Sequence, residues 1–192
     1  MALLRPRLPK GAKYVLYKNA SVAMLNPADS QEDTRDLLRS ALQKFPAAVT
    51  VIALRTADGG FLATTATAVT VLTLDPPTML ACLNRGTLIG QALEKVEAYS
   101  INVLRADQKS IAEACAGGVP HDHREFVGRW SDTASGVPVL EGAQASIVCG
   151  RSQFTAYGTH NLLFGTVESV VVGEALEPLL YLNRAYGAFA SE

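Results

Sequence analysis

The chain has 192 residues and a formal net charge of −1, with 48% hydrophobic and 18% charged residues. That length and composition fit one domain with its own core and exclude a disordered chain. The near-neutral balance excludes a basic field for nucleic acid, since Arg5, Arg7, Lys10, Lys13 and Lys18 are spread too thinly to form one.

Residues 1–29 read as an irregular arm, with Val15-Leu16-Tyr17 as its one short strand candidate. Pro6 and Pro9 interrupt it, and no long apolar run follows, so neither a secretory leader nor a membrane span is expected and the cytoplasm is the expected compartment. Ser30 with Asp33 three residues on predicts a helix start, and Leu37, Leu38, Ala41, Leu42 and Phe45 recur at helical spacing up to Pro46. Ala47–Leu54 predicts a strand, Asp58-Gly59-Gly60 a turn, and Phe61 the opening of a second strand, which makes a hairpin. That second strand runs through 62–77 with five threonines among small and aliphatic residues, and it ends in Asp75-Pro76-Pro77.

Further strands are predicted at Thr78–Leu83, Ser100–Leu104, Ala145–Cys149 and Leu162–Val172. Two helices fall between them. One begins at Thr87 with Leu88, Ile89, Ala92, Leu93 and Val96 on a core face, and the other runs from near Asp107 to Gly117-Gly118. Six or so strands with helices between them predict a mainly β barrel with flanking helices. Cys82, Cys115 and Cys149 are odd in number and widely spaced, which implies neither a disulfide framework nor a zinc site.

Two segments carry candidate chemistry. The threonine strand presents hydroxyls, while Ala63, Ala66 and Ala68 leave its main chain open, so a flat polar ligand could approach the backbone N–H groups. Asn84-Arg85-Gly86-Thr87 follows a strand and opens a helix, placing a cation, a hydroxyl and free N–H groups where a phosphate fits. Thr87 as a plain N-cap and Arg85 as a surface charge fit the same residues. His121-Asp122-His123 resembles a metal cluster, but adjacent loop side chains diverge and no fourth ligand stands at a suitable spacing. A solvated loop, with no metal, is the expectation there. Its place before Phe126 and Trp130 also makes a lid conceivable.

The order of motifs resembles the short-chain flavin reductase family. The resemblance rests on Phe45-Pro46-Ala47-Ala48-Val49-Thr50-Val51-Ile52, the threonine strand with Asp75-Pro76-Pro77, Cys82-Leu83-Asn84-Arg85-Gly86-Thr87 and Ser100-Ile101-Asn102-Val103-Leu104. It continues through Gly136–Gly142, Cys149, Gly158-Thr159-His160, Phe164-Gly165-Thr166-Val167 and Pro178-Leu179-Leu180-Tyr181, covering about residues 33–189. None of these is diagnostic alone. Their shared order carries the match.

The resemblance implies an FMN-binding split β-barrel over residues 30–192, behind the arm at 1–29. It implies a homodimer that reduces FMN, with FAD as the alternative, at the expense of NADH or NADPH, and hands the reduced flavin to a separate monooxygenase. The family's T-A-N-S falls on Thr65-Ala66-Thr67-Ala68 and its T-S-V-S on Thr70-Val71-Leu72-Thr73. Thr67, Ala68 and Val71 depart from that pattern, so the flavin edge is expected on the backbone of Thr64–Ala68 with Thr65, Thr67 or Thr70 compensating. Asn84, Arg85 and Thr87 are implied at the flavin phosphate, and His160 at the pyridine nucleotide. His160 follows Thr159 where the family has aspartate, and a histidine capping the core fits the position too. The closing Tyr181–Gly187 segment implies Arg184 and Tyr186 near the cofactor mouth, against a strand-edge charge and a packed tyrosine. A non-catalytic flavin or electron carrier, or a purely structural subunit on the same fold, is the rival reading.

Overall fold

The computed structural model describes residues 31–174 and 176–189. The arm at 1–29, its strand at Val15–Tyr17 and Ser30 as a helix start lie outside the described residues. The chain divides into a unit ending at Leu42 and a second, compact unit running from Gln43 to Glu192. Of the first, helix α1 (Gln31–Leu42) is described. It carries Leu37, Leu38, Ala41 and Leu42 at helical spacing, with an ion pair of 2.8 Å between Arg39 and Asp36 on its polar side. Phe45, expected on that apolar face, lies beyond the helix end.

Twelve strands are described in the second unit. The run expected at Ala47–Leu54 is divided into β1 (Ala47–Ala48) and β2 (Thr50–Arg55), because Val49 takes a hydrogen bond from Leu104 N and gives one to Leu179 O. The hairpin from β2 to β3 (Phe61–Ala66) is present, with Arg55 opposite Phe61 and Thr50 opposite Ala66. Gly59 takes φ +85° in its turn, a conformation that glycine adopts without steric cost. There follow β4 (Val69–Leu74), β5 (Pro77–Asn84), α2 (Leu88–Ala92), β6 (Ala98–Val103) and α3 (Lys109–Glu113). A 3₁₀ turn leads into α3 and a π turn follows it to Gly118; a 3₁₀ helix covers His121–Phe126. The remaining strands are β7 (Trp130–Asp132), β8 (Pro138–Leu140), β9 (Ala145–Tyr157), β10 (His160–Val172), β11 (Leu179–Leu182) and β12 (Ala185–Ala188).

Seven strands form one antiparallel sheet in the order β3-β2-β6-β9-β10-β5-β4. Its two edge strands, β3 and β4, are joined by Thr67 and Ala68 alone. The three virtual bonds from Ala66 to Val69 reach at most about 11 Å, so the two edges of a seven-stranded sheet must lie side by side. The sheet therefore curls into a split half-barrel. This corrects the single threonine strand read over 62–77, which is two strands on opposite edges with a crossing between them. A continuous strand of that length could pair along one edge only, whereas the bend lets β3 pair with β2 and β4 with β5. Ala68 O accepts from Cys82 N (2.9 Å), which ties the crossing to β5.

The apolar residues of β2 alternate between two cores, as the period of a strand requires. Ile52 and Leu54 point into the barrel with Ile101, Leu163 and Tyr99, and Ile89 of α2 and its C-cap Leu93 pack into the same cluster. Leu88, expected on that face, is 53% exposed, so the buried apolar residues here are Ile89 of α2 and, past its end, Leu93 and Val96. Val51 and Ala53 point outwards against Ile111 and Ala112 of α3 and Leu140 of β8. Inside the barrel a side chain at Gly165 would collide with the Tyr99 hydroxyl, so the tyrosine reaching across β9 from β6 requires glycine at this point of β10. Among the described residues no helix is long and apolar enough to cross a membrane.

One buried polar network knits the sheet together. Asn102 Nδ2 donates to Val51 O (3.1 Å) and Ser100 Oγ (2.8 Å), and its Oδ1 accepts from Leu140 N (2.9 Å) and Ser146 Oγ (2.8 Å). All four bonds that the amide makes lie inside the protein, and the residue has no solvent exposure.

Candidate active site

A cleft of about 280 Å³ opens at the crossing between the two sheet edges. Its wall is the chain from Thr64 to Ala68 on one side and Cys82, Leu83, Asn84, Thr87 and His160 on the other. Sequence separation hides this assembly, but register explains it: antiparallel pairing of β10 with β5 sets His160 directly across from Asn84. The β9–β10 turn, with Gly158 at φ +56°, then brings Thr159 O within 3.1 Å of Arg85 N.

The β3 side of the cleft offers main-chain groups. Ala63 O accepts from the Arg124 guanidinium at 2.6 Å, so Ala63 turns its polar groups away from β2, whereas Ala66 O faces β2 and accepts from Thr50 Oγ1 at 2.6 Å. The alternation of an antiparallel ladder then turns the Thr65 N–H and C=O outwards as well. The Thr65 hydroxyl is otherwise engaged, donating to Ala112 O at 2.6 Å. Thr70, expected as a compensating side chain, lies on β4 outside the cleft lining, where its hydroxyl is 3.4 Å from Val71 O.

The opposite wall is a closed turn. Asn84 Oδ1 accepts from Gly86 N (2.8 Å), and Thr87 Oγ1 donates to Asn84 O (2.7 Å) while accepting from Gly90 N (3.1 Å). Thr87 is thus the N-cap of α2, with its hydroxyl proton already used. Arg85 stands exposed beside the cleft, and among the described residues its side chain makes no ion pair. His160 Nδ1 lies 2.9 Å from the Thr159 hydroxyl, which leaves Nε2 for a ligand.

The other expected residues lie elsewhere. Arg184 and Tyr186 belong to the β11–β12 hairpin, which pairs with β1 in a separate three-stranded sheet and contributes nothing to the cleft lining. Arg184 Nη2 and Nε reach the Gln43 amide oxygen at 3.0 and 3.3 Å, and Tyr186 packs edge-on against Tyr181 with ring centroids 5.2 Å apart. Strand pairing carries the hairpin to the outer core, so neither residue reaches this cleft from its own chain. The solvated loop expected at His121-Asp122-His123 is a 3₁₀ helix against the outer edge of β3, with Arg124 buried and His121 partly desolvated, which lowers the histidine's proton affinity.

Sequence reasoning missed Cys82 and Leu83 as lining residues and Asn161 as a support. Asn161 is buried and donates to Gly90 O (3.1 Å), fixing α2 against β10. A polar residue directly after the histidine of a strand start was the available signal.

Comparisons with known proteins agree with this geometry. Residues 42–190 match the flavin reductase like domain family. The chain is 39% identical over 151 residues to the reductase component of a FADH(2)-dependent resorcinol hydroxylase of Rhizobium sp. (strain MTP-10005), covering 78% of this chain and 84% of the relative. It is 38% identical over 155 residues to the FMN reductase (NADH) RutF of Variovorax paradoxus (strain S110), covering 80% and 84%. Among solved structures, the NADH:FAD oxidoreductase SgcE6 of Streptomyces globisporus C-1027 superposes with a TM-score of 0.79 at 25% identity, over 90% of this chain and 99% of that one. With a split half-barrel, a cleft at its crossing and a match along most of its length, the chain belongs to the flavin reductase like domain family.

Proposed function

We propose that this chain is an NADH:FMN oxidoreductase whose reduced flavin serves a separate monooxygenase, with the flavin edge seated on Thr64–Ala68. The observation that carries the reading is the cleft itself, where an edge strand turns main-chain groups outwards between small residues. A flat heterocycle with alternating donors and acceptors fits such a wall: Ala66, Ala68 and Cys82 leave it room, and the Thr65 backbone supplies hydrogen bonds at its rim. FMN is the favoured flavin because the relative named above acts on it, and FAD is the alternative.

A bound flavin would supply the hydride acceptor for NADH, which would leave as NAD⁺. The chain's own contribution is placement. The crossing would seat one edge of the ring, Arg85 and the first N–H groups of α2 would hold the phosphate, and His160 would offer Nε2 to the pyridine nucleotide. The cleft wall would offer the isoalloxazine mainly backbone groups, which suits a flavin that dissociates as product. Purified protein with NADH and excess FMN, FAD or riboflavin tests the reading: many turnovers per protein are expected, and stoichiometric binding without NADH oxidation would establish the carrier instead.

The phosphate assignment has its own test. Arg85→Ala is expected to raise the dissociation constant of FMN about tenfold to hundredfold, the loss of one charge-assisted hydrogen bond, and to leave that of riboflavin unchanged. Fluorescence quenching measures both, and an equal change for the two flavins would move the phosphate elsewhere.

The homodimer is supported by an uncovered apolar surface. Register places Thr73, Thr78 and Thr166 side by side across β4, β5 and β10, so Val170–Val172 run on past the β4–β5 turn. All three valines are exposed, at 52, 62 and 74%, although successive strand residues face opposite ways. Leu74 beside them is 81% exposed. A second copy covering this strip accounts for it. Val171→Asp is expected to convert a dimer to a monomer in light scattering coupled to size exclusion. NADH as donor and three free cysteines fit the cytoplasm.

A further inference from the structure

We propose that Arg124 is a positioning residue for the flavin-binding strand, holding the free edge of β3 from outside the cleft. The inference rests on the flavin reading of that cleft.

Among the described residues β3 pairs with β2 on one side and with no strand on the other. An edge strand held on one side alone has freedom to slide and fray, yet this one must present the Thr65 backbone to a ligand in a fixed place. The 3₁₀ helix His121–Phe126 lies along the free side. From it Arg124 sends Nη1 to Ala63 O at 2.6 Å and Nε to Val119 O at 3.2 Å. The next outward-facing residue after Ala63 is Thr65, and the cleft lining starts at Thr64. Arg124 thus grips the strand one step from where the ligand sits.

Its surroundings are unusual for a cation. Only 5% of Arg124 is exposed, and among the described residues no carboxylate pairs with it. The neighbouring Cys115 thiol is pushed up to about 11 by burial and is neutral at physiological pH, and Glu125 is turned to Arg55 at 2.8 Å. A guanidinium desolvated for two carbonyl oxygens is a costly way to fill space, and an apolar side chain would fill it as well. What the guanidinium supplies is a directed fork, one arm on the strand and one on the loop that bears the helix.

The test compares Arg124→Met, Arg124→Lys and Glu125→Gln with the unaltered protein, by FMN quenching at a temperature where circular dichroism shows each to be folded. Deuterium uptake over residues 61–68 is followed in the ligand-free proteins. Arg124→Met is expected to raise the FMN dissociation constant about tenfold and to speed uptake over 61–68, while Arg124→Lys, which retains a donor for Ala63 O, recovers most of both. Glu125→Gln loosens the same helix from Arg55 and is expected to lower the melting temperature without changing FMN affinity. If Arg124→Met does not fold, Arg124→Gln, neutral and polar, takes its place with the same expectations. FMN affinity within twofold of the unaltered protein in the neutral variant, with only the melting temperature lowered, would overturn the positioning role alone. An unaltered protein that binds no FMN would overturn the flavin reading and this role together.

Discussion

Ala68→Leu is expected to abolish measurable FMN binding while leaving the fold intact. Ala68 lies in the crossing, exposed and on the cleft wall, so a larger side chain there would take up space that the flavin plane would occupy. Its backbone contact, the carbonyl that accepts from Cys82 N, is independent of the side chain. The cost to stability is therefore that of an exposed substitution, about 0.5 kcal/mol or less, whereas the loss of affinity is expected to exceed about a hundredfold, or 2.7 kcal/mol. Quenching titrations beside thermal melts separate the two effects. Undiminished binding would mean that the flavin does not lie over the crossing.

Asn102→Ala is expected to produce the largest loss of stability of any polar substitution in the chain. Three of the amide's four partners are buried groups on other elements: Val51 on β2, Leu140 on β8 and Ser146 on β9. Removing the amide strands the Leu140 N–H and the Ser146 hydroxyl without water to replace it, and buried unsatisfied groups cost roughly 1–3 kcal/mol each. A total of about 3–5 kcal/mol follows, read as a fall in the denaturant midpoint at unchanged slope. A loss under 1 kcal/mol would mean that water enters and satisfies the site.

Much of this fold was legible because its signals are local. The β2–β3 hairpin follows from Asp58-Gly59-Gly60 between β-branched runs, and α2 from the Thr87 cap followed by Ile89 and Leu93. The threonine segment misled because local propensity has no means of marking a crossing. Thr67 and Ala68 are as compatible with extended chain as their neighbours, and only the sheet order, with β3 and β4 on opposite edges, demands a bend there. The site was partly legible for the same reason. Thr64–Ala68, Asn84, Thr87 and His160 come together because ladder register sets them side by side, which motif order could suggest. Thr70, Arg184 and Tyr186 fall outside the lining because strand pairing carries them to other surfaces. Arg124 gave no warning at all, since an arginine in His-Asp-His-Arg-Glu reads as solvated until the free edge of β3 is seen beside it.

The most direct test of the flavin seat is hydrogen exchange of the full chain with and without saturating FMN. Protection is expected over residues 64–68 and 82–87, on the two walls of the cleft, with Arg85→Ala losing protection at the second before the first. Protection confined to the β2–β3 turn and the exposed side of α2, around Thr56 and Lys95, would place the flavin in the neighbouring groove and contradict the assignment of the crossing as its seat.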